Sequence, residues 1–179
     1  MSGKFKCDEP MREQKLATRF GTSRGPVRDA LMQLTQEGVL EYQPNKGVRV
    51  SSLLTDEERD VVVAMRLELE KYCMKKFIPI ALKEDFENIS VLLERLKNAC
   101  EVASLPEVAE SDLALHRYWV AQASPHLEST WLGLSVRMIM KYSRLENYDQ
   151  AIKEHTRIVE AMNGRDIDKA IYYLGENIL

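Results

Sequence analysis

Asp112 and His116 stand four residues apart in a helical pattern, so their side chains share one face. A carboxylate and an imidazole at that spacing can hold one divalent cation of the zinc, nickel or manganese kind. His155 lies in a later helical stretch beside Ile158 and Val159, on a face expected to turn inward. Two helices would then supply three N/O ligands and leave positions open to water or a ligand. The plainer reading keeps Asp112 and His116 as an ordinary hydrogen-bonded pair and His155 as a satisfied core histidine. His126 follows Pro125 in an interhelical turn and is given no role.

Arg66 sits among Val63, Met65 and Leu69, and Arg137 among Val136, Met138 and Ile139. A guanidinium on an apolar stripe needs an anionic partner once buried. For Arg66 that partner is Glu70, at i+4, or the carboxylate of a ligand. Arg137 poses the same question. A third group is Thr22, Ser23, Arg24, Gly25 and Arg28, with Lys46 and Gly47 in the turn Pro44-Asn45-Lys46-Gly47. Arginine can pair with guanine O6 and N7, while hydroxyls and helix N-terminal N–H groups hold phosphates. As a surface feature alone, the same residues would make a capped helix with exposed arginines.

The elements that must position these residues fall into two parts. In residues 15–50, Leu16, Ala17 and Phe20 fit one helical face and Gly21 ends it. Thr22 or Ser23 then caps a second helix with Pro26 early in it and Val27, Ala30, Leu31 and Leu34 as its buried stripe. Val39, Leu40 and Tyr42 read as one strand and residues 48–50 as its partner, with the basic tip between them. Residues 1–14 carry no helical period, so the third helix that usually braces a helix–turn–helix is expected to be missing and the chain to begin late.

Residues 52–55 read as a linker between a reading head, 1–51, and an all-α part, 56–179. Thr55 and Glu58 form a capping box for a helix running to about residue 82, with Val61, Val62, Met65, Leu69, Cys73 and Phe77 as its core and Pro79 bending or ending it. Further helices are predicted over 83–103, 106–123, 125–145, 148–163 and 167–179, the last capped by Asp166 and expected to continue. The expected fold is mainly α: a winged helix-turn-helix with a small hairpin, then a bundle of about six helices.

Charge follows the same division. Residues 1–51 hold 9 Lys+Arg against 6 Asp+Glu, or +3; the rest hold 16 against 22, or −6. A basic piece joined to an acidic one suits nucleic-acid contact at one end. No apolar run approaches the roughly 20 residues a bilayer span needs. Cys7, Cys73 and Cys100 form no CxxC pair, which argues against a disulfide framework and for a reducing, cytoplasmic setting.

The run LATRFGTSRGPVRDALMQLTQEGVL, residues 16–40, resembles the winged helix–turn–helix of GntR-type bacterial transcription regulators. Residues 56–179 resemble the FCD ligand-binding domain of the FadR-like branch, through Arg66-Leu67-Glu68-Leu69-Glu70, Asp112 with His116, and Glu154-His155. The resemblance implies a homodimer on a palindromic operator of double-stranded DNA; the lack of a spanning apolar run leads to the expectation of no membrane partner. It also implies a small carboxylic-acid effector, often metal-bound, that alters DNA affinity. Metal-binding members use one Asp and three His, and the last His, 22 residues beyond His155, is Asn177 here. Two readings stay open: a site of Asp112, His116 and His155, or a metal-free pocket in which Asn177 bonds the effector beside Arg66 and Arg137. A competing function is a metal-dependent hydrolase or lyase using Asp112, His116 and His155, although no general base stands out. Another is a sensor whose DNA reader is vestigial.

Overall fold

The computed structural model describes residues 5–141 and 148–178. Its element order is α1 (Glu13–Phe20), α2 (Arg24–Gln36), β1 (Leu40–Gln43), β2 (Gly47–Val50), α3 (Asp56–Ile80), α4 (Lys83–Glu101), α5 (Leu105–Ala123), α6 (Pro125–Lys141), α7 (Tyr148–Asn163) and α8 (Ile167–Ile178). The fold is mainly helical, with one small antiparallel sheet after the first two helices.

Gly21 closes α1 in the left-handed region at φ 63°, where a Cβ would be strained. Ser23 takes the N-cap position of α2 with an extended backbone, but its hydroxyl makes no capping bond. Ala17, Val27, Leu31 and Leu40 form a small core, supported by Met11, Leu16, Leu34, Val39, Val48 and Val50. Phe20, Ala30 and Tyr42, expected in or near that core, are exposed instead. The hairpin pairs Leu40 with Val50 and Gln43 with Gly47, and Asn45 and Gly47 take the positive φ values its turn needs.

The segment before α1 is not idle. Asp8 N–H donates to Val50 O, Val50 N–H to Glu9 O, and Met11 N–H to Val48 O, at 2.9–3.0 Å. An irregular third strand thus lies along the outer edge of β2, and Arg49 Nε meets Asp8 Oδ1 at 2.6 Å. Backbone groups carry this pairing, so no hydrophobic period in residues 1–14 announces it.

Residues 51–54 are anchored at both ends. Ser51 N–H donates to Val39 O at 3.1 Å, and Leu54 is buried in the core of the helical bundle. Thr55 and Glu58 exchange the two bonds of a capping box at 3.2 and 2.8 Å, starting α3. That helix ends at Ile80, one residue after Pro79. Arg165, in the α7–α8 turn, donates to Ile78 O and Ala81 O at 2.7 Å each and satisfies carbonyls the helix end leaves open.

The bundle core is a single cluster centred on Trp119, Trp131, Phe77 and Met74. The phase of α3 differs from expectation: Val61 and Met65 are 57% and 53% exposed, and Leu69 is half-buried. Its buried stripe is Val62, Val63, Arg66, Leu67, Glu70, Cys73, Met74, Phe77 and Ile78. Two charged residues occupy core positions, so a stripe traced through apolar residues alone comes out rotated around the helix.

Candidate functional site

Glu70 is the centre of a buried polar network. Its Oε1 accepts from Arg66 Nε and from Trp131 Nε1, each at 2.7 Å, and its Oε2 lies 2.7 Å from His116 Nδ1. Burial alone would raise the Glu70 carboxyl; His116, Arg66 and Trp131 outweigh it and hold the group at about 2. An ionised carboxylate only accepts, so His116 carries its proton on Nδ1. His155 Nδ1 faces Ala151 O at 2.7 Å and carries a proton for the same reason.

In their neutral forms both Nε2 atoms are left as acceptors, and they face each other at 3.1 Å. Asp112 Oδ1 is 2.9 Å from His155 Nε2 and 4.0 Å from His116 Nε2. Three lone-pair donors within 4.8 Å need something positive between them. A proton on His155 meets that need in part: burial pushes its pKa down, but the bond to Asp112 and that carboxylate's charge prevail and raise it. The Asp112 carboxyl, despite burial, is held well below the usual carboxylate range by His155 and His116. The donor set fits a divalent cation, with both Nδ1 atoms fixed by acceptors behind them.

A cavity of about 250 Å³ opens beside these atoms, lined among others by Arg66, Asp112, Met138, Glu154, His155 and Asn177. Arg66 is 2% exposed, and its Nη1 meets Met138 Sδ at 3.8 Å. Asn177 Nδ2 donates to Glu154 Oε2 at 3.2 Å. Arg137 does not line this space, contrary to expectation. Met138, the next residue, points inward; Arg137 is turned about 100° from it and lies against Gly38 of the reading head. His126 is exposed.

In the reading head, Glu13 of α1 holds both arginines of α2. Its Oε2 accepts from Arg24 Nη2 at 3.0 Å and its Oε1 from Arg28 Nε at 2.9 Å. Those bonds, from Arg28 first and Arg24 next, hold the Glu13 carboxyl at about 2. Thr22, Ser23, Arg24, Gly25 and Arg28 are all exposed at or near the start of α2. Arg28, Lys46 and Gly47 share one surface cleft, so the wing tip and the first turns of α2 face the same space. In the sequence Glu70 shows only as an i+4 partner of Arg66, and nothing marks Glu13. Both act through residues far along the chain, and only the i, i+4 spacing of Arg66 and Glu70 gave a hint.

Residues 61–177 match the FCD domain, and residues 1–50 match the family described as bacterial regulatory proteins, gntR family. The chain belongs to the GntR family, as a DNA-binding transcriptional regulator with an FCD domain. It is 28% identical to a probable D-xylose utilization operon transcriptional repressor of Paenarthrobacter nicotinovorans, over 98% of this chain and 79% of that protein. It is 24% identical to the gluconate operon transcriptional repressor of Bacillus licheniformis, over 99% of this chain and 76% of the other. Escherichia coli McbR/YncC shares the fold, with a TM-score of 0.82 at 20% identity over 98% of this chain and 86% of that one. These matches are transcriptional regulators rather than enzymes, which sets aside the hydrolase or lyase alternative. Among the described residues no helix is long and apolar enough to cross a membrane.

Proposed function

We propose that this protein is a ligand-responsive regulator that binds a palindromic operator as a homodimer and takes a small carboxylic acid in its helical bundle. Thr22, Ser23, Arg24, Gly25 and Arg28 would meet DNA from α2, and Lys46 and Gly47 from the wing. Asp112, His116 and His155 would hold a divalent cation, which supplies a positive anchor for an acid. Arg66 would take a carboxylate oxygen through the end of its guanidinium that faces the cavity.

The observation that carries this reading is the pair of Nε2 atoms facing each other at 3.1 Å beside a buried arginine in one cavity. Relatives named for gluconate and D-xylose operons support a small, oxygen-rich effector. A route for coupling is available in α6. Its Trp131 and Met138 face the buried network, while Gly133 and Arg137 pack against Glu37 and Gly38 of the reading head. A change at the network that shifts α6 would therefore displace the seat of the reading head.

Metal analysis of the purified protein, with mass spectrometry of any co-purified acid, tests the site. Expected is a bound transition metal that is lost in His155→Ala. A protein that binds no divalent cation after loading would leave the metal-free pocket, with Asn177 bonding the effector, as the reading.

A further inference from the structure

The cavity beside the donor triad also presents a carboxylate. Glu154 of α7 lines it together with Gln150 and with Asn177 of α8. Its Oε1 accepts from Gln150 Nε2 at 2.7 Å and its Oε2 from Asn177 Nδ2 at 3.2 Å. Two amides from two helices thus fix its orientation, and each oxygen keeps a second lone pair. Asn177, at the position where the resemblance places a fourth metal ligand, directs its amide to Glu154. Arg66 lines the same cavity with a guanidinium whose Nε is bonded to Glu70 and whose Nη1 has a sulfur contact at 3.8 Å. A ligand in this space meets a buried cation and a braced anion.

We infer that the effector is a carboxylic acid carrying a hydrogen-bond donor, a hydroxyl or an ammonium, away from its carboxylate. Its carboxylate goes to Arg66 and its donor to Glu154. This inference rests on the reading of the cavity as the effector site. A plain alkyl acid would strip water from Glu154 and return no donor. A dicarboxylate would set its second carboxylate against Glu154. Charge points the same way: Glu70, Asp112 and Glu154 stand against Arg66, and a divalent cation at the triad brings the whole to neutrality. A zwitterion or a singly charged hydroxy acid fits a neutral site better than a dianion does.

The test is calorimetric titration of the whole protein, in the presence of Zn²⁺, with two matched series. One is butyrate, γ-hydroxybutyrate, γ-aminobutyrate and succinate; the other is hexanoate, ε-hydroxyhexanoate, ε-aminohexanoate and adipate. Expected is binding of a donor-bearing acid at least about tenfold tighter than the plain acid and the dicarboxylate of the same length. Glu154→Gln, with its melting curve checked against the parent, should erase that margin and let the dicarboxylate gain. Tighter binding of the hydroxy acid assigns a neutral donor, and of the amino acid an ion pair; either supports the inference. A dicarboxylate or plain acid that binds as tightly as the donor-bearing acid overturns this inference alone. So does a ranking that Glu154→Gln leaves unchanged. No binding in either series overturns the effector-site reading and this inference with it.

Discussion

At the scale of single residues, the two ends of the molecule use the same device. A carboxylate reached from another element orients a nitrogen-bearing side chain that the proposed function puts to use. Glu70 sets the protonated nitrogen of His116, and Glu13 gathers Arg24 and Arg28. Glu70→Gln should therefore weaken divalent-cation affinity about 10- to 100-fold without removing a ligand, as read by competition with a chelating dye. Arg28→Ala should cost about 1–3 kcal/mol of operator affinity in fluorescence anisotropy, and Arg24→Ala a comparable amount. The depressed Glu13 carboxyl fixes a pH dependence. A carboxyl lowered on folding contributes stability above its unfolded value and loses it as pH falls through its folded value, here about 2. The Glu13 side-chain carboxyl resonance should accordingly stay flat between about pH 8 and pH 4. In the sequence, i, i+4 spacing pairs Asp112 with His116, and the apolar neighbours Ile158 and Val159 turn His155 inward. Spacing could not show Glu13 or Glu70 in these roles, because Glu13 meets arginines 11 and 15 residues on, and Glu70 meets His116 and Trp131 46 and 61 residues on.

At the scale of elements, α3 shows where sequence periodicity fails. Its apolar residues suggest one stripe, and the charged pair Arg66–Glu70 belongs to another that is wholly buried. A buried charge looks like a surface residue until its partners are known, so the rotation of α3 could not be read in advance. Helix limits marked by Gly21, the Thr55 capping box and Asp166 fared better, because these are local signals that act within one turn, while the expected helix ends at 145 and 179 lie outside the described residues. The seam between α6 and the reading head had no such signal. Gly38 lies there at φ +76°, and a Cβ on it would stand 3.0 Å from Arg137 Cδ. Gly38→Ala should lower unfolding free energy by about 1–2 kcal/mol in urea titration. Adding Arg137→Ala should return only the steric share, because the backbone strain at residue 38 persists.

At the scale of the molecule, a basic head rides on an acidic bundle, and only the head has the charge to meet DNA. Operator affinity should fall linearly on a plot of log affinity against log salt. Lys46→Ala should make that slope shallower by about 0.9 if Lys46 neutralises one phosphate. An anisotropy series at several salt concentrations measures both quantities. A reading head and a helical bundle were expected from composition and turn chemistry. The contact between them was not, since it depends on two glycines whose purpose is to leave room.

The strip of backbone from Asp8 to Met11 along β2 has a consequence for the protein's behaviour in concentrated solution. A two-stranded wing on its own would offer a bare row of amide and carbonyl groups to any neighbouring molecule. Here Asp8, Glu9 and Met11 already engage those of Val48 and Val50, and the ion pair of Asp8 with Arg49 fastens the cover. The outer edge of β2 is thereby closed to strand pairing with a neighbouring molecule by the chain's own residues.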